Sequence, residues 1–227
     1  MTVRVRVAGP ADFPTVARLT VGAYEADGQA PADHGYDVVL ADVATRARTG
    51  EVLVAVDDNA VDHNAVDHNA VDHNAVDHNA VDHNAVDGDA IVGAVTFVRS
   101  GSDYAQLARE GEAEFRMLAV DPAAQRRGVA TVLVRACLAR AADLGCSHVV
   151  ICARDIAETA HRLYARLGFA RIPERDWSPA PGVRLLALTR SVEQAEGDVE
   201  GDVAALLVGQ VGVAQRERGD VDRDQRQ

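Results

Sequence analysis

From Ala60 to Asn84 the chain repeats Ala-Val-Asp-His-Asn five times without a substitution, and the pattern then decays through Ala85-Val86-Asp87-Gly88-Asp89. A period of five matches neither the helical turn of about 3.6 residues nor the alternation of a strand. The segment therefore cannot turn one apolar face to a core. At 25 residues it is also too short for a self-supporting solenoid. It lies between two strand-like runs, so it reads as an expanded hairpin loop. Closure entropy grows only logarithmically with loop length, and a fold can carry such an insertion. The histidines at its core, His63, His68, His73, His78 and His83, are candidates for metal capture. Flexible ligands must first be ordered before they bind, however, and no metal is expected.

The rest of the chain must build the fold. Apolar residues make up 48% of the 227 positions and charged residues 26%, enough for a packed core, while aromatics at 4% leave that core to Val, Leu and Ala. All 23 basic residues are arginine. Of the net charge of −12, the repeat contributes −5 and residues 191–227 another −5, so the remainder is nearly neutral. That excludes the basic field expected of a protein that binds nucleic acid or an anionic membrane. Cys137, Cys146 and Cys152 form no Cys-x-x-Cys pair and suggest neither a disulfide framework nor a zinc site. With no apolar run of about 18 residues and a Val/Arg alternation at the N-terminus, the expectation is a soluble, cytoplasmic protein.

Strand and helix patterns alternate. Val3–Val7 reads as a strand, and Asp12 can cap a helix running through Tyr24. One helix is expected over Tyr36 to Arg48, then strands over Glu51 to Asp57, Ala90 to Val98 and Glu112 to Val120. An amphipathic helix runs from near Gly128 to Leu144, with Leu133, Cys137, Ala141 and Leu144 as its buried stripe. A buried strand covers Ser147 to Ala153. Asp155-Ile156-Ala157-Glu158 resembles a capping box for a helix reaching Leu167, and Val183 to Thr189 is a last strand. The alternation predicts a mixed α/β sheet. The acidic, Gly- and Gln-rich tail from 191 predicts disorder. The domain expectation is one unit over residues 1–190, interrupted by a loop at 58–89 and followed by a tail at 191–227.

The most informative stretch is Val120-Asp121-Pro122-Ala123-Ala124-Gln125-Arg126-Arg127-Gly128-Val129-Ala130. A strand ends and a helix begins here. Free amides and the positive end of the helix dipole make such a junction an anion site. Gly128 lets a ligand approach the backbone, Ala130 keeps the next turn open, and Arg126 and Arg127 add charge for phosphate oxygens. The pattern fits a pyrophosphate. It lacks both the Gly-Lys-Ser/Thr of a nucleotide loop and the three-glycine dinucleotide fingerprint.

This turn resembles the Gln/Arg-x-x-Gly-x-Gly/Ala signature of the GCN5-related N-acetyltransferases. Ala160-His161-Arg162-Leu163-Tyr164-Ala165-Arg166-Leu167-Gly168-Phe169 is similar to the family's second signature, Ala-x-x-Leu-Tyr-x-x-x-Gly-Phe. The resemblance covers about residues 3–57 and 90–190. It implies a mixed, mostly antiparallel central sheet flanked by helices, with acetyl-CoA as co-substrate and an amine of a small molecule or peptide as acceptor. It further implies that the strand before the turn splays from its neighbour, offering Leu118, Ala119 and Val120 to the pantetheine arm, while Gln125, Arg126, Arg127, Gly128, Val129 and Ala130 hold the pyrophosphate. Tyr164 becomes the proton donor to the leaving thiolate. Glu112 and Glu114, two apart on a strand and therefore on one face, become candidate bases, each raising the other's pKa, with Glu114 preferred. Where the family often has Asn, the chain has Ala157, a departure that would weaken cofactor binding. A non-catalytic acyl-CoA-binding module is the alternative. Dimers are common in the family, and the oligomeric state stays open.

Other candidates are less specific. His148 and His161 read as surface or packing histidines. Trp177 reads equally well as acceptor-pocket lining or loop packing, and Glu25, Asp27 and Asp33 as a solvated loop or an attractor of a cationic amine.

Overall fold

The computed structural model describes residues 2–28, 35–57 and 90–192. The pentapeptide repeat, the expected loop at 58–89, Asp33 and the tail from residue 193 lie outside the described residues.

The chain runs β1 (Val3–Val7), α1 (Phe13–Ala26), α2 (Tyr36–Ala41), α3 (Val43–Thr49), β2 (Glu51–Asp57), β3 (Ala90–Arg99), β4 (Glu112–Val120), α4 (Val129–Asp143), β5 (His148–Arg154), α5 (Glu158–Arg166), β6 (Ala170–Arg171), β7 (Trp177–Ala180) and β8 (Val183–Ser191). The strands form one sheet in the order β1-β2-β3-β4-β5-β8-β6, with β7 also on β8. Every pairing is antiparallel except β4 with β5.

Strand parity divides the core. On β2, Leu53 and Ala55 join the cluster under α4 and α5, built from Leu133, Cys137, Leu138, Tyr164, Phe115 and Phe169. The intervening Val52, Val54 and Val56 pack with Val16 of α1 and Val43 of α3 on the opposite face. A strand buried on both faces is apolar throughout, as Val-Leu-Val-Ala-Val is. Gly93 on β3 allows α4 to lie close. A methyl there would stand 2.8 Å from Val129 Cγ1, 3.0 Å from Leu133 Cδ1 and 3.2 Å from the Ala119 carbonyl.

Several boundaries differ from expectation for physical reasons. The helix expected over Tyr36 to Arg48 breaks at Asp42, whose carboxylate accepts the Thr45 N–H and caps α3. Asp12 does not cap α1. Its carboxylate instead pairs with Arg6 and accepts the Gly9 N–H. The capping box at Asp155 is not formed: α5 starts at Glu158, its cap Ala157 has no side-chain acceptor, and Asp155 accepts the adjacent Ile156 N–H. The short β6 and β7 carry too few residues to show a period.

Candidate active site

The site grows out of an irregularity in β4. Between Ala94 and Thr96 of β3 the register advances two residues, while on β4 it advances three, from Ala119 to Arg116. The extra residue is a bulge at which Met117 takes a left-handed φ of 54°. It bends the strand. β4 pairs with β5 only where Glu112, Ala113 and Glu114 face His148, Val149 and Val150. Beyond Glu114, residues up to Val120 have no partner on β5. The sheet is thus forked at its centre, and two cavities open on the fork.

The first cavity, of about 440 Å³, is lined by Leu118, Ala119 and Val120 of β4, by Gln125, Arg126, Gly128, Val129 and Ala130 of the turn, and by Ala160 and Leu163 of α5. Of the residues expected to bind the cofactor, only Arg127 is turned elsewhere: its guanidinium lies 3.9 Å from the buried Asp57 carboxylate. Two residues in left-handed conformation, Arg126 at φ 62° and Gly128 at φ 86°, wind the turn so that it enters α4 without a side-chain cap. The first amide to bond back is Val132, to the Gly128 carbonyl. The amides of Val129, Ala130 and Thr131 precede it and are the orphan donors of a helix start. A methyl added at Gly128 would meet no atom within 4 Å, so the space above this backbone is open.

The second cavity, of about 290 Å³, lies on the other side of the fork. Tyr24, Tyr36, Gln106, Arg116, Met117, Cys152, Arg154, Trp177 and Leu185 are among its lining residues. Tyr24 lines both cavities and marks their junction. Its ring lies 6.1 Å from that of Tyr36. Burial pushes the Tyr24 hydroxyl pKa well above the ordinary value, with further upward contributions from Tyr36, Tyr164 and Cys152.

Tyr164 sits in an aromatic triangle with Phe115 at 5.9 Å and Phe169 at 5.7 Å between ring centres. Its ring lines neither cavity, although its neighbour Leu163 lines the first. Its hydroxyl couples electrostatically to Tyr24 and Cys152, which do line the second. Burial is the main cause raising its pKa, followed by the Cys152 and Cys137 thiols. The phenol therefore keeps its proton at physiological pH. Cys152 itself is pushed up to about 11, mainly by burial.

The two candidate bases have structural partners instead. Glu114 is fully buried, and one of its oxygens accepts the backbone N–H groups of Gln106, Leu107 and Ala108 at 2.8, 2.8 and 3.1 Å. Glu112 makes a two-pronged pair with Arg175 and accepts the Arg109 N–H. Partial burial works to raise the Glu112 pKa, but the Arg175 and Arg109 hydrogen bonds and the Arg175 charge hold it below the usual value. Neither carboxylate lines either of these two cavities, and the mutual upward shift expected of the pair is absent from Glu112. Asp27 lines the first cavity, not the second. Among the described residues, no three or more His, Cys, Asp or Glu gather where they could hold a metal ion, and no helix is long and apolar enough to cross a membrane.

Sequence reasoning missed Tyr24, Tyr36, Gln106, Arg116 and Arg154 as site residues. They come from segments distant in sequence and share no motif. The one local signal was polarity: Arg116 breaks the apolar run from Phe115 to Val120 of β4, and Arg154 closes the apolar run of β5.

Comparison with known proteins matches this geometry. The structure resembles an acetyltransferase of the GNAT family from Staphylococcus aureus Mu50, with a TM-score of 0.58 at 10% identity over 84% of this chain and 99% of that one. It also resembles a Corynebacterium glutamicum protein described as histone acetyltransferase HPA2 and related acetyltransferase, with a TM-score of 0.55 at 20% identity over 83% and 96% of the two chains. A Salmonella typhimurium protein solved with its cofactor acetyl-CoA gives a TM-score of 0.51 at 18% identity over 85% and 95%. At these identities the likeness is one of fold. No curated protein matches the sequence. The sequence model described as the acetyltransferase (GNAT) family matches residues 50–169. That match spans more than half of the chain and contains the turn, the fork in the sheet and the Tyr164 motif, and on it the chain belongs to the GNAT acetyltransferase family.

Proposed function

We propose that the protein transfers an acetyl group from acetyl-CoA to a primary amine by direct attack, within a single unit formed by residues 1–190 apart from the insertion at 58–89. The observation that carries this reading is the left-handed turn at Arg126 and Gly128, which sets the first amides of α4 over an open cleft that runs into the fork between β4 and β5. Amides and dipole suit a pyrophosphate. The unpaired edge of Leu118, Ala119 and Val120 suits an extended amide-bearing arm, which would pair with it as a strand does. The thioester would then lie near Tyr24, at the junction of the two cavities.

The acceptor enters from the second cavity. Arg116 and Arg154 line it, and no carboxylate does among the described residues. With Arg116 set against the buried Glu114 carboxylate, it is the Arg154 charge that disfavours an ammonium ion and so favours the neutral, nucleophilic amine. The amine nitrogen forms a bond to the carbonyl carbon, and the tetrahedral intermediate expels the thiolate. Tyr164 gives its proton to that sulfur, and the proton released from the new amide nitrogen returns the Tyr164 phenolate to its phenol by way of solvent. Products are the acetylated amine and coenzyme A. The phenol holds its proton at physiological pH and so has one to give.

Thiol release with saturating acetyl-CoA, measured across an amine library, tests the reading. Tyr164→Phe should lower kcat by roughly 10²–10⁴-fold with little change in acetyl-CoA affinity. Full activity of that variant would remove Tyr164 from the reaction, and failure of the chain to bind acetyl-CoA would remove the reading itself.

A further inference from the structure

The second cavity has a chemical bias that its place beside the cofactor cleft does not explain. Arg154 of β5 and Trp177 of β7 are both in register with Leu185 of β8. Residues opposite one another in a sheet project from the same face. Arg154, Leu185 and Trp177 therefore form a row across three strands, and all three line the cavity.

Two donors in this row have no oxygen or nitrogen acceptor. The Arg154 Nε and the Trp177 Nε1 are both buried without a hydrogen-bond partner. The other Arg154 nitrogens are tethered at 3.3 Å to the Gly28 and Gly182 carbonyls, which fixes the guanidinium at the cavity wall. The indole N–H has only the weakly accepting Cys152 sulfur nearby. Buried donors normally find acceptors, and orphaned ones call for an explanation. A second cation, Arg116, lines the same cavity; it is held by the Tyr104 carbonyl at 2.7 Å and by the Tyr36 hydroxyl, and its Nε lies 3.8 Å from the buried Glu114 carboxylate. The remaining walls include Tyr24, Met117, Pro179, Val183 and Leu185.

A ligand matched to this lining carries an anionic acceptor of hydrogen bonds at one end and an apolar body at the other. At about 290 Å³ the space is at the small end of ligand pockets, sized for a small molecule. Resting on the transferase reading above, we propose that the acceptor is a free amino acid with an apolar side chain, its carboxylate seated by Arg154 Nε and Trp177 Nε1 and its amine directed toward Tyr24. A carboxylate has two oxygens to take the two donors, and the paired charge offsets its desolvation.

Matched acceptors test this on the full chain. L-Leucine, L-leucinamide and isoamylamine share a side chain and a primary amine, but only the first has a carboxylate. With saturating acetyl-CoA, leucine should show kcat/KM on the order of 10–100-fold above the other two. Arg154→Gln should erase that preference through KM. Trp177→Phe keeps an aromatic ring and removes the N–H, and should reduce the preference without unfolding the loop. Equal or better use of leucinamide or isoamylamine overturns the proposal, as does an Arg154→Gln variant that slows all three alike. Should no acceptor release thiol, calorimetric titration of leucine against isoamylamine still decides: tighter leucine supports the seat, and equal or absent binding overturns it. Acetyl-CoA binding, measured separately, decides the transferase reading.

Discussion

Removing the Glu114 carboxylate separates a structural role from a catalytic one. In Glu114→Ala the N–H groups of Gln106, Leu107 and Ala108, now held at 2.8, 2.8 and 3.1 Å in a partly buried loop, lose their common acceptor, the fully buried Glu114 carboxylate. Hydrogen bonds to a charged group contribute about 1.5–3 kcal/mol each, but three bonds to one oxygen are not additive, because one movement of the loop frees all of them. The bound is the cost of breaking a buried charged network, about 3–5 kcal/mol. For a chain of this size that corresponds to a fall in Tm of about 6–20 °C. Glu114→Gln keeps a neutral oxygen for the amides but turns an NH₂ toward Arg116, whose Nε lies 3.8 Å from the other Glu114 oxygen. It should lose roughly half as much. The assays are thermal denaturation and hydrogen exchange at the three amides, which should lose protection in Glu114→Ala. Because that loop carries Gln106 into the second cavity, activity should fall through KM. A Tm within about 2 °C of the wild type, with unchanged exchange and a large loss confined to kcat, would refute this reasoning and support Glu114 as a base.

Three other perturbations have defined outcomes. Gly93→Ala places a methyl 2.8 Å from Val129 and 3.2 Å from the Ala119 carbonyl; urea denaturation should show a loss of about 1–3 kcal/mol, and calorimetry weaker acetyl-CoA binding as α4 shifts off β3. Gly128→Val forces a β-branched residue to φ 86° and sets a side chain over the open backbone. It should raise the acetyl-CoA Kd by on the order of tenfold or more at a stability cost of about 1–2 kcal/mol, and an unchanged Kd would place the anion elsewhere. The Asp176 carboxylate is held down to about 2, chiefly by the Arg171 hydrogen bonds and also by the Ala187 N–H and the Arg171 and Arg184 charges. A depressed pKa stabilises the fold above the ordinary carboxylate range, and that contribution is lost as pH falls through about 2. Asp176→Asn should therefore lower Tm at neutral pH and flatten the acid side of the Tm–pH curve.

How far the sequence alone could be read follows from the range of each interaction. The bounds of β4, Glu112–Val120, were legible because alternation and the following Asp-Pro turn are local. So was the turn at 125–130, whose proposed anion site is made of main-chain amides and one glycine. The bulge at Met117 was not legible, since a left-handed methionine carries no compositional mark. Glu112 and Glu114 were correctly placed on β4, but their chemistry is set by partners elsewhere: a loop at 106–108 for one and Arg175, 63 residues away in sequence, for the other. The second cavity was least legible. Its walls join α1, α2, β4, β5, β7 and β8, and no periodicity links Tyr24 to Arg154 or Trp177. Trp177 alone drew notice, as one of two equal readings.

The three-pair seam between β4 and β5 has a consequence for the life of the chain. Raw main-chain edges are ordinarily kept to the rim of a sheet and guarded there against self-association. Here one is exposed at the middle, bridged by Glu112, Ala113 and Glu114 alone. Any guest that beds along it acts as a surrogate rung and shifts the folding balance toward the intact form in proportion to its abundance. The empty protein is then the form most open to proteases and clumping, which ties how long a copy survives to how well supplied it is with what it binds.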